Sequence, residues 1–187
     1  MPNRVDFLAA ANVVYRRDVL EQLGGFDPRY MKAQDAELAM RVLEAGYDLA
    51  FEISSRVDHY YHERWFRYLR TQAQQGYWRV PLHRSHRGRA RGDSYSKLMD
   101  HAQPPLAILS LVALPLLFAP GGVWITPAPP ILLAAAQIPM VSRMVRRTKD
   151  VRYVAFGALG FIRAFFRAFG MAAGAAATMR GANRPPA

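Results

Sequence analysis

Two acids, Asp35 and Glu37, stand two positions apart at the head of a segment, Gln34 to Ala45, whose apolar residues Leu38, Val42 and Leu43 recur with helical spacing. Acids in a first helical turn commonly serve the helix itself, meeting free backbone N–H groups and the positive end of its dipole. The same field keeps a carboxylate ionised near neutral pH, the state a general base needs to take a proton from a substrate hydroxyl. The two roles are compatible. Farther on, His59 and His62 lie among Asp58, Tyr60, Tyr61 and Glu63. One imidazole there could join a metal site or simply hydrogen-bond at a strand edge, and neither the spacing nor the neighbours decide between them. Arg64, Arg67, Arg70 and Arg79 form a basic run that suits either phosphate or anionic lipid headgroups. The chain has no cysteine, which excludes a disulfide scaffold, a thiolate zinc site and a cysteine nucleophile. It also has no glycine-rich phosphate loop, no Gly-x-Ser-x-Gly and no Asp-x-Asp.

Local patterns supply the elements that must hold these residues. Val5 to Ala9 reads as the end of a buried strand. Arg16 to Leu23 reads as a short helix stopped by Gly24-Gly25, and Phe26-Asp27-Pro28 as the following turn. The helix from Gln34 to Ala45 has Gly46 in position to end it. Tyr47 to Ile53 alternates, with Leu49, Phe51 and Ile53 on one side and Asp48 and Glu52 on the other, which predicts a strand. Val57 to Tyr61 predicts another short strand. A helix rich in Trp, Tyr and Arg is predicted from Glu63 to Val80. Strands and helices in this order predict an α/β fold for the first 80 residues.

The rest of the chain differs in kind. Residues 1–63 carry 7 basic and 11 acidic groups, whereas residues 64–101 carry 9 and 2, so the +11 net charge is concentrated after the acidic block. From His101 to Ser142, 42 positions, there is no Asp, Glu, Lys or Arg, a stretch that helix surfaces in water rarely tolerate. Pro120-Gly121-Gly122 and Pro127, Pro129 and Pro130 interrupt it. The prediction is two apolar helices of about 15 residues, 105–119 and 130–142, forming a membrane hairpin. Arg79, Arg84, Arg87, Arg89, Arg91 and Lys97 precede the hairpin, and Arg143, Arg146, Arg147, Lys149 and Arg152 follow it, so both flanks are expected on the cytoplasmic side. Tyr153 to Thr178 predicts a third helix, spanning or interfacial. Its Arg163 and Arg167 either snorkel or pack inside, and its Gly170 and Gly174 suit close helix contact. The expected division is 1–80, then a basic interfacial linker 81–103, the hairpin 104–143, a basic cytoplasmic loop 144–152, the third helix 153–179 and a tail 180–187. Basic character that tracks the membrane segments argues against nucleic acid as a partner.

The set Ala11-Asn12-Val13-Val14-Tyr15-Arg16-Arg17, Gly24-Gly25-Phe26-Asp27 and Gln34-Asp35-Ala36-Glu37-Leu38, continued by Arg41, Gly46 and Tyr47, resembles family 2 glycosyltransferases. The resemblance covers roughly residues 6–80 and looks like the acceptor-side, C-terminal half of their GT-A fold. The remainder is similar to the membrane tail of exopolysaccharide-type members. It implies that Asp35 is the catalytic base, deprotonating an acceptor hydroxyl that attacks a nucleotide sugar with inversion. Gln34 stands where the family carries a glutamate. The resemblance further implies substrate-binding roles for Asn12, Asp27, Gln34, Glu37, Gln75, Trp78 and Arg79, and a metal or diphosphate contact for His59, with His62 as the alternative. Tyr77 stands where processive members carry an arginine, which favours transfer of single sugars.

The nucleotide-binding half of the family, with the Asp-x-Asp that holds its divalent metal (Mg²⁺ or Mn²⁺), has no counterpart here. The chain is therefore expected to need a separate donor-binding half for turnover. The implied partners are a nucleotide-sugar donor, a lipid-linked or polysaccharide acceptor and the lipids of a cell inner membrane. A rival reading is a non-catalytic membrane adaptor that docks a partner enzyme or anionic lipid through its basic collar.

Overall fold

The computed structural model describes residues 3–60, 64–86 and 98–181. About two-thirds of these are helical. Among the described residues the only sheet is an antiparallel pair, β1 (Asn3–Val5) and β2 (Leu49–Phe51), in the register Asn3 to Phe51 and Val5 to Leu49. This overturns the predicted α/β fold, and no GT-A half is formed. The reason is visible in the alternating segment itself. Leu49 is buried, but Phe51 and Ile53 on the same predicted face are largely exposed, because no layer covers them. An uncovered apolar face gives a strand nothing to gain beyond its ladder hydrogen bonds, and pairing stops after three residues. Val57 to Tyr60 is irregular, and Tyr61 lies outside the described residues.

The helices were more legible. They are α1 (Arg17–Leu23), α2 (Gln34–Glu44), α3 (Trp65–Ser85), α4 (Leu98–Val112), α5 (Gly122–Ile125), α6 (Ala128–Ala135), α7 (Ile138–Thr148) and α8 (Ala155–Met179). Helix α1 ends as predicted, with Gly24 in the left-handed conformation at φ 74° and Gly25 N–H donating to the Leu20 carbonyl at 2.9 Å. Helix α3 runs past its predicted end, straight through Pro81.

The chain forms two compact units, residues 1–97 with 170–187, and residues 98–169. In the first, one core joins Val19, Leu38, Ala39, Val42 and Leu49, and another joins Tyr30, Met40 and Leu82. The last turns of α8 also belong here and press directly on the α3 backbone. A Cβ on Gly170 would stand 1.9 Å from the Ala73 carbonyl oxygen, and one on Gly174 would stand 2.3 Å from that of Tyr77. Pro81 has no N–H to offer the Tyr77 carbonyl, and Gly174 faces that oxygen instead. Because the obstacle is backbone, a larger residue can be accommodated only by separating the helices. Gly174→Val should cost about 1–3 kcal/mol, read as an earlier thermal transition in detergent. Ala173→Val, on the exposed side of the same turn, should leave that transition in place.

In the second unit Ala107, Leu133, Ala164 and Ala168 close a core between α4, α6 and α8. Three helical stretches are long and apolar enough to cross a membrane: Asp100–Phe118, Gly122–Thr148 and Val151–Met179, of 19, 27 and 29 residues. The first two exceed the 15 residues predicted for them. The prolines explain the second: Pro129 and Pro130 sit in the first turn of α6, where a missing N–H costs nothing, so they open the helix instead of breaking it. The turn between these stretches narrows to Ala119–Gly121. Arg163 faces inward, with its guanidinium 3.4 Å from the Asp100 carboxylate and 3.3 Å from the side-chain amide oxygen of Gln103.

Candidate functional site

The residues singled out by type and spacing gather mainly around the N-terminus of α2. The residue preceding that helix, Ala33, is held at φ 68°, a left-handed conformation that costs a residue with a side chain roughly 1–2 kcal/mol. Strain of this kind persists only where surrounding contacts over-determine the backbone. Those contacts are present. The Gln34 amide nitrogen faces the carbonyls of Tyr30 and Met31, each at 3.1 Å. Tyr30 is buried, stacks at a tilt on Trp78 with centroids 5.9 Å apart, and shares a hydrogen bond with the Ser85 hydroxyl at 3.1 Å. Ala33 and Ala36 pack into the same cluster, so α3 braces this end of α2.

Three acids occupy the region, and the structure sorts them by partner. Asp27 is gripped by Arg29, whose Nε lies 2.8 Å away and whose backbone N–H donates to the same carboxylate at 3.0 Å. Hydrogen bonding from Arg29 lowers the Asp27 pKa against the opposing effect of burial. Glu37 is buried and held in a bidentate pair by Arg41, at 2.6 and 2.7 Å. No arginine pairs with Asp35 among the described residues. One of its oxygens accepts the Ala36 N–H at 2.9 Å, and the other receives the Ala10 N–H at 3.4 Å. Its carboxylate is half-buried, and so remains within reach of solvent. Beside it, the Tyr15 hydroxyl is enclosed with no hydrogen-bond partner among the described residues; burial, and then the Asp35 charge, raise the Tyr15 pKa. Asn12 secures the adjoining segment by donating to the Ser55 carbonyl and hydroxyl, both at 3.1 Å.

Other predicted site residues are placed elsewhere. Gln75 lies on an exposed face of α3, Arg79 is half-buried on the same helix, and His59 is exposed in the irregular segment before α3. His62 lies outside the described residues. Among the described residues no three His, Asp or Glu side chains converge to hold a metal ion.

One residue escaped sequence reading. His86, just beyond α3, is buried, with Nδ1 2.8 Å from the Glu44 carboxylate and Nε2 3.8 Å from Glu37. It stands 42 residues from Glu44, so no local pattern announces it. Glu44 is closer but largely exposed, whereas Glu37 is buried and its charge is less screened. Glu37 is accordingly the main cause of the raised His86 pKa, with Glu44 adding to it and burial opposing. For Glu37, burial raises the pKa, but its cationic partners His86 and Arg41 outweigh it and the net is a lowering.

The signs give a window. Stability from His86 is fully present below its ordinary value of 6.5 and is lost as pH rises through its raised folded value. Stability from Glu37 is present above 4.5 and is lost as pH falls through its lowered folded value. The cluster should stabilise the fold most between those two pH values. Denaturant unfolding across the pH range should show a decline on the alkaline side that His86→Gln removes.

No protein-family model matches the chain, and no solved structure matches it. Over 60 residues the chain is 40% identical to an O-antigen chain rhamnosyltransferase of Salmonella anatum. The chain is similar, in part, to a glycosyltransferase. The shared stretch is 31% of this chain and 19% of the relative, so the chain spans about a fifth of that protein's length.

Proposed function

We propose that this chain is the acceptor-side and membrane-anchoring portion of a glycosyltransferase that builds an envelope polysaccharide. The partial identity to an O-antigen rhamnosyltransferase carries this reading. In the proposed reaction, of the inverting family 2 type, Asp35 removes the proton from an acceptor hydroxyl as that oxygen attacks the anomeric carbon of a nucleotide sugar. The nucleoside diphosphate departs, and the proton stays on the Asp35 carboxylate until solvent takes it. Asp35 suits the task because the other two acids are held by arginines while its own carboxylate has no arginine partner among the described residues. A divalent metal would be supplied with the donor. Asn12, Asp27, Gln34 and Glu37 fix the loops around the base, and Gln75, Trp78 and Arg79 extend the acceptor side along α3.

The reading includes an inner-membrane location with the α2 region on the cytoplasmic face, where nucleotide sugars are made. Membranes carrying the chain together with its donor-binding portion should transfer labelled sugar from a nucleotide sugar, with the rhamnosyl donor the first to assay. Transfer that does not depend on this chain would overturn the proposal.

A further inference from the structure

The second apolar stretch, Gly122–Thr148, is longer than a bilayer core requires, and its surplus falls at a defined end. Its 27 residues span about 40 Å as helix, against a hydrocarbon core of about 30 Å. About 10 Å of it must therefore stand outside the hydrocarbon. The first end does not supply that surplus. Around the Ala119–Gly121 turn Phe118 and Trp124 are 94% and 85% exposed, and no charged residue lies between Gln103 and Ser142. At the other end charge begins at Arg143, about 8 Å before Thr148, and continues through Arg146, Arg147 and Lys149. The surplus and the cations coincide.

The first turns of α8 run back along α7. Leu133 shares a core with Ala164, the Gln137 side-chain oxygen lies against Gly160, and a Cβ on Gly157 would stand 3.3 Å from Cγ2 of Val141. These pairs descend in antiparallel order to a corner at Lys149 and Asp150. Lys149 closes α7 in the left-handed conformation at φ 58°, and Asp150 caps the returning segment by accepting the Arg152 N–H at 2.9 Å. Asp150 is the only acid between Gln137 and Arg163, and it pairs with Arg152. Arg143, Arg146, Arg147 and Lys149 are exposed, with no ion pair among the described residues. The end of the α7 dipole offsets only about half a charge, so most of theirs is unanswered. Beside them Val151 and Val154 are 74% and 58% exposed, and Tyr153 stacks on Phe156 with centroids 5.6 Å apart.

We propose that this corner is a binding surface for anionic lipid headgroups, in which Arg143, Arg146, Arg147 and Lys149 take lipid phosphates while Val151 and Val154 enter the outermost acyl layer. Two observations choose lipid over an acidic protein. A surplus of about 10 Å reaches the headgroup layer and goes little beyond it. Exposed valines at the level of the cations suit the boundary between phosphates and acyl chains, where both kinds of side chain are satisfied. The contact is independent of the transfer reaction.

Because the chain has no cysteine, Val151→Cys in the full chain can carry a single fluorophore. The protein is reconstituted into nanodiscs of mixed phosphatidylcholine and phosphatidylglycerol, with a trace of either lipid bearing the same nitroxide on the same acyl carbon. Labelled phosphatidylglycerol should quench the fluorophore several-fold more than labelled phosphatidylcholine, because the cations enrich it locally. Arg143→Gln, Arg146→Gln and Arg147→Gln together should remove most of that preference, and the three corresponding Lys substitutions should keep it. A fluorophore at Val123→Cys, at the uncharged end of the same stretch, should be quenched alike by both lipids and should not respond to the Gln substitutions, which confirms insertion of each variant. Molar salt should weaken the preference in the parent chain, a measurement that needs no variant to fold. Equal quenching at 151 by the two lipids would overturn the proposal, as would a preference that survives both the Gln substitutions and salt. Quenching at 151 by neither lipid would also overturn it, since the corner would then stand in water, open to an acidic protein.

Discussion

Asp35→Asn is expected to reduce sugar transfer by roughly 10²–10⁴-fold, the usual worth of a positioned general base, while leaving the fold and membrane association intact. The substitution suits the question because asparagine keeps the shape of the side chain and an oxygen to accept the Ala36 N–H, now at 2.9 Å. What it removes is the capacity to take a proton. No arginine pair is broken, so unfolding should be nearly unchanged, and a fall in transfer can be read as chemistry. Activity within tenfold of the parent would remove Asp35 from the reaction. The non-catalytic adaptor reading makes the opposite prediction: indifference at Asp35 and sensitivity to the basic residues Arg84, Arg87, Arg89 and Arg91, of which the last three lie outside the described residues.

Arg41→Met should have the largest effect on stability, a loss of about 3–5 kcal/mol. The arginine binds both oxygens of the buried Glu37 and also donates to the carbonyls of Leu23 and Gly25, at 2.6 and 2.7 Å. Methionine matches its stem but leaves a buried carboxylate with His86, 3.8 Å away, in place of its bidentate partner. Removing both members should hurt less than removing one, because an uncompensated buried charge is costlier than an absent pair. Denaturant unfolding of Arg41→Met beside Glu37→Met/Arg41→Met measures this directly. A double variant less stable than the single would show that the carbonyl contacts, and not the charge, dominate. The contrast with Asp35 is the useful part: two acids two residues apart should fail in different assays.

Helices α1 and α2 could be read from the chain because their signals are local. Gly24 supplies the left-handed stop, and Leu38 and Val42 fall one turn apart and both enter the core. The strands could not. Alternation at Leu49, Phe51 and Ile53 says which way side chains point, but not whether anything will cover them, and here only Leu49 is covered. The lengths of the two apolar helices differ from the prediction for a related reason. Pro129 and Pro130 were read as breakers, yet a proline's effect depends on its place in a helix, and in a first turn it is harmless. At the site, the acids were found by their position beside Gly24-Gly25 and at a helix start. Their sorting into paired and unpaired was hidden, because it rests on Arg41 reaching back to Leu23 and on His86 arriving from a distant helix end. The gathering at Gly170 and Gly174 was legible as small residues, but their partner, the backbone of α3, was not.

The reach of Arg41 has a consequence for motion. Its guanidinium ties the end of α1 to the body of α2, clasping the intervening loop beside the core that Val19 shares with Leu38. Loosening the loop requires breaking that link, and breaking it strands the Glu37 charge in the core. Opening of the loop and fraying of α2 therefore become one event, with no cheap intermediate between them. Asp35 is carried on that cooperative unit. The base is either fully in place or lost with the whole segment, so its positioning is switched as a block and is not blurred by partial disorder.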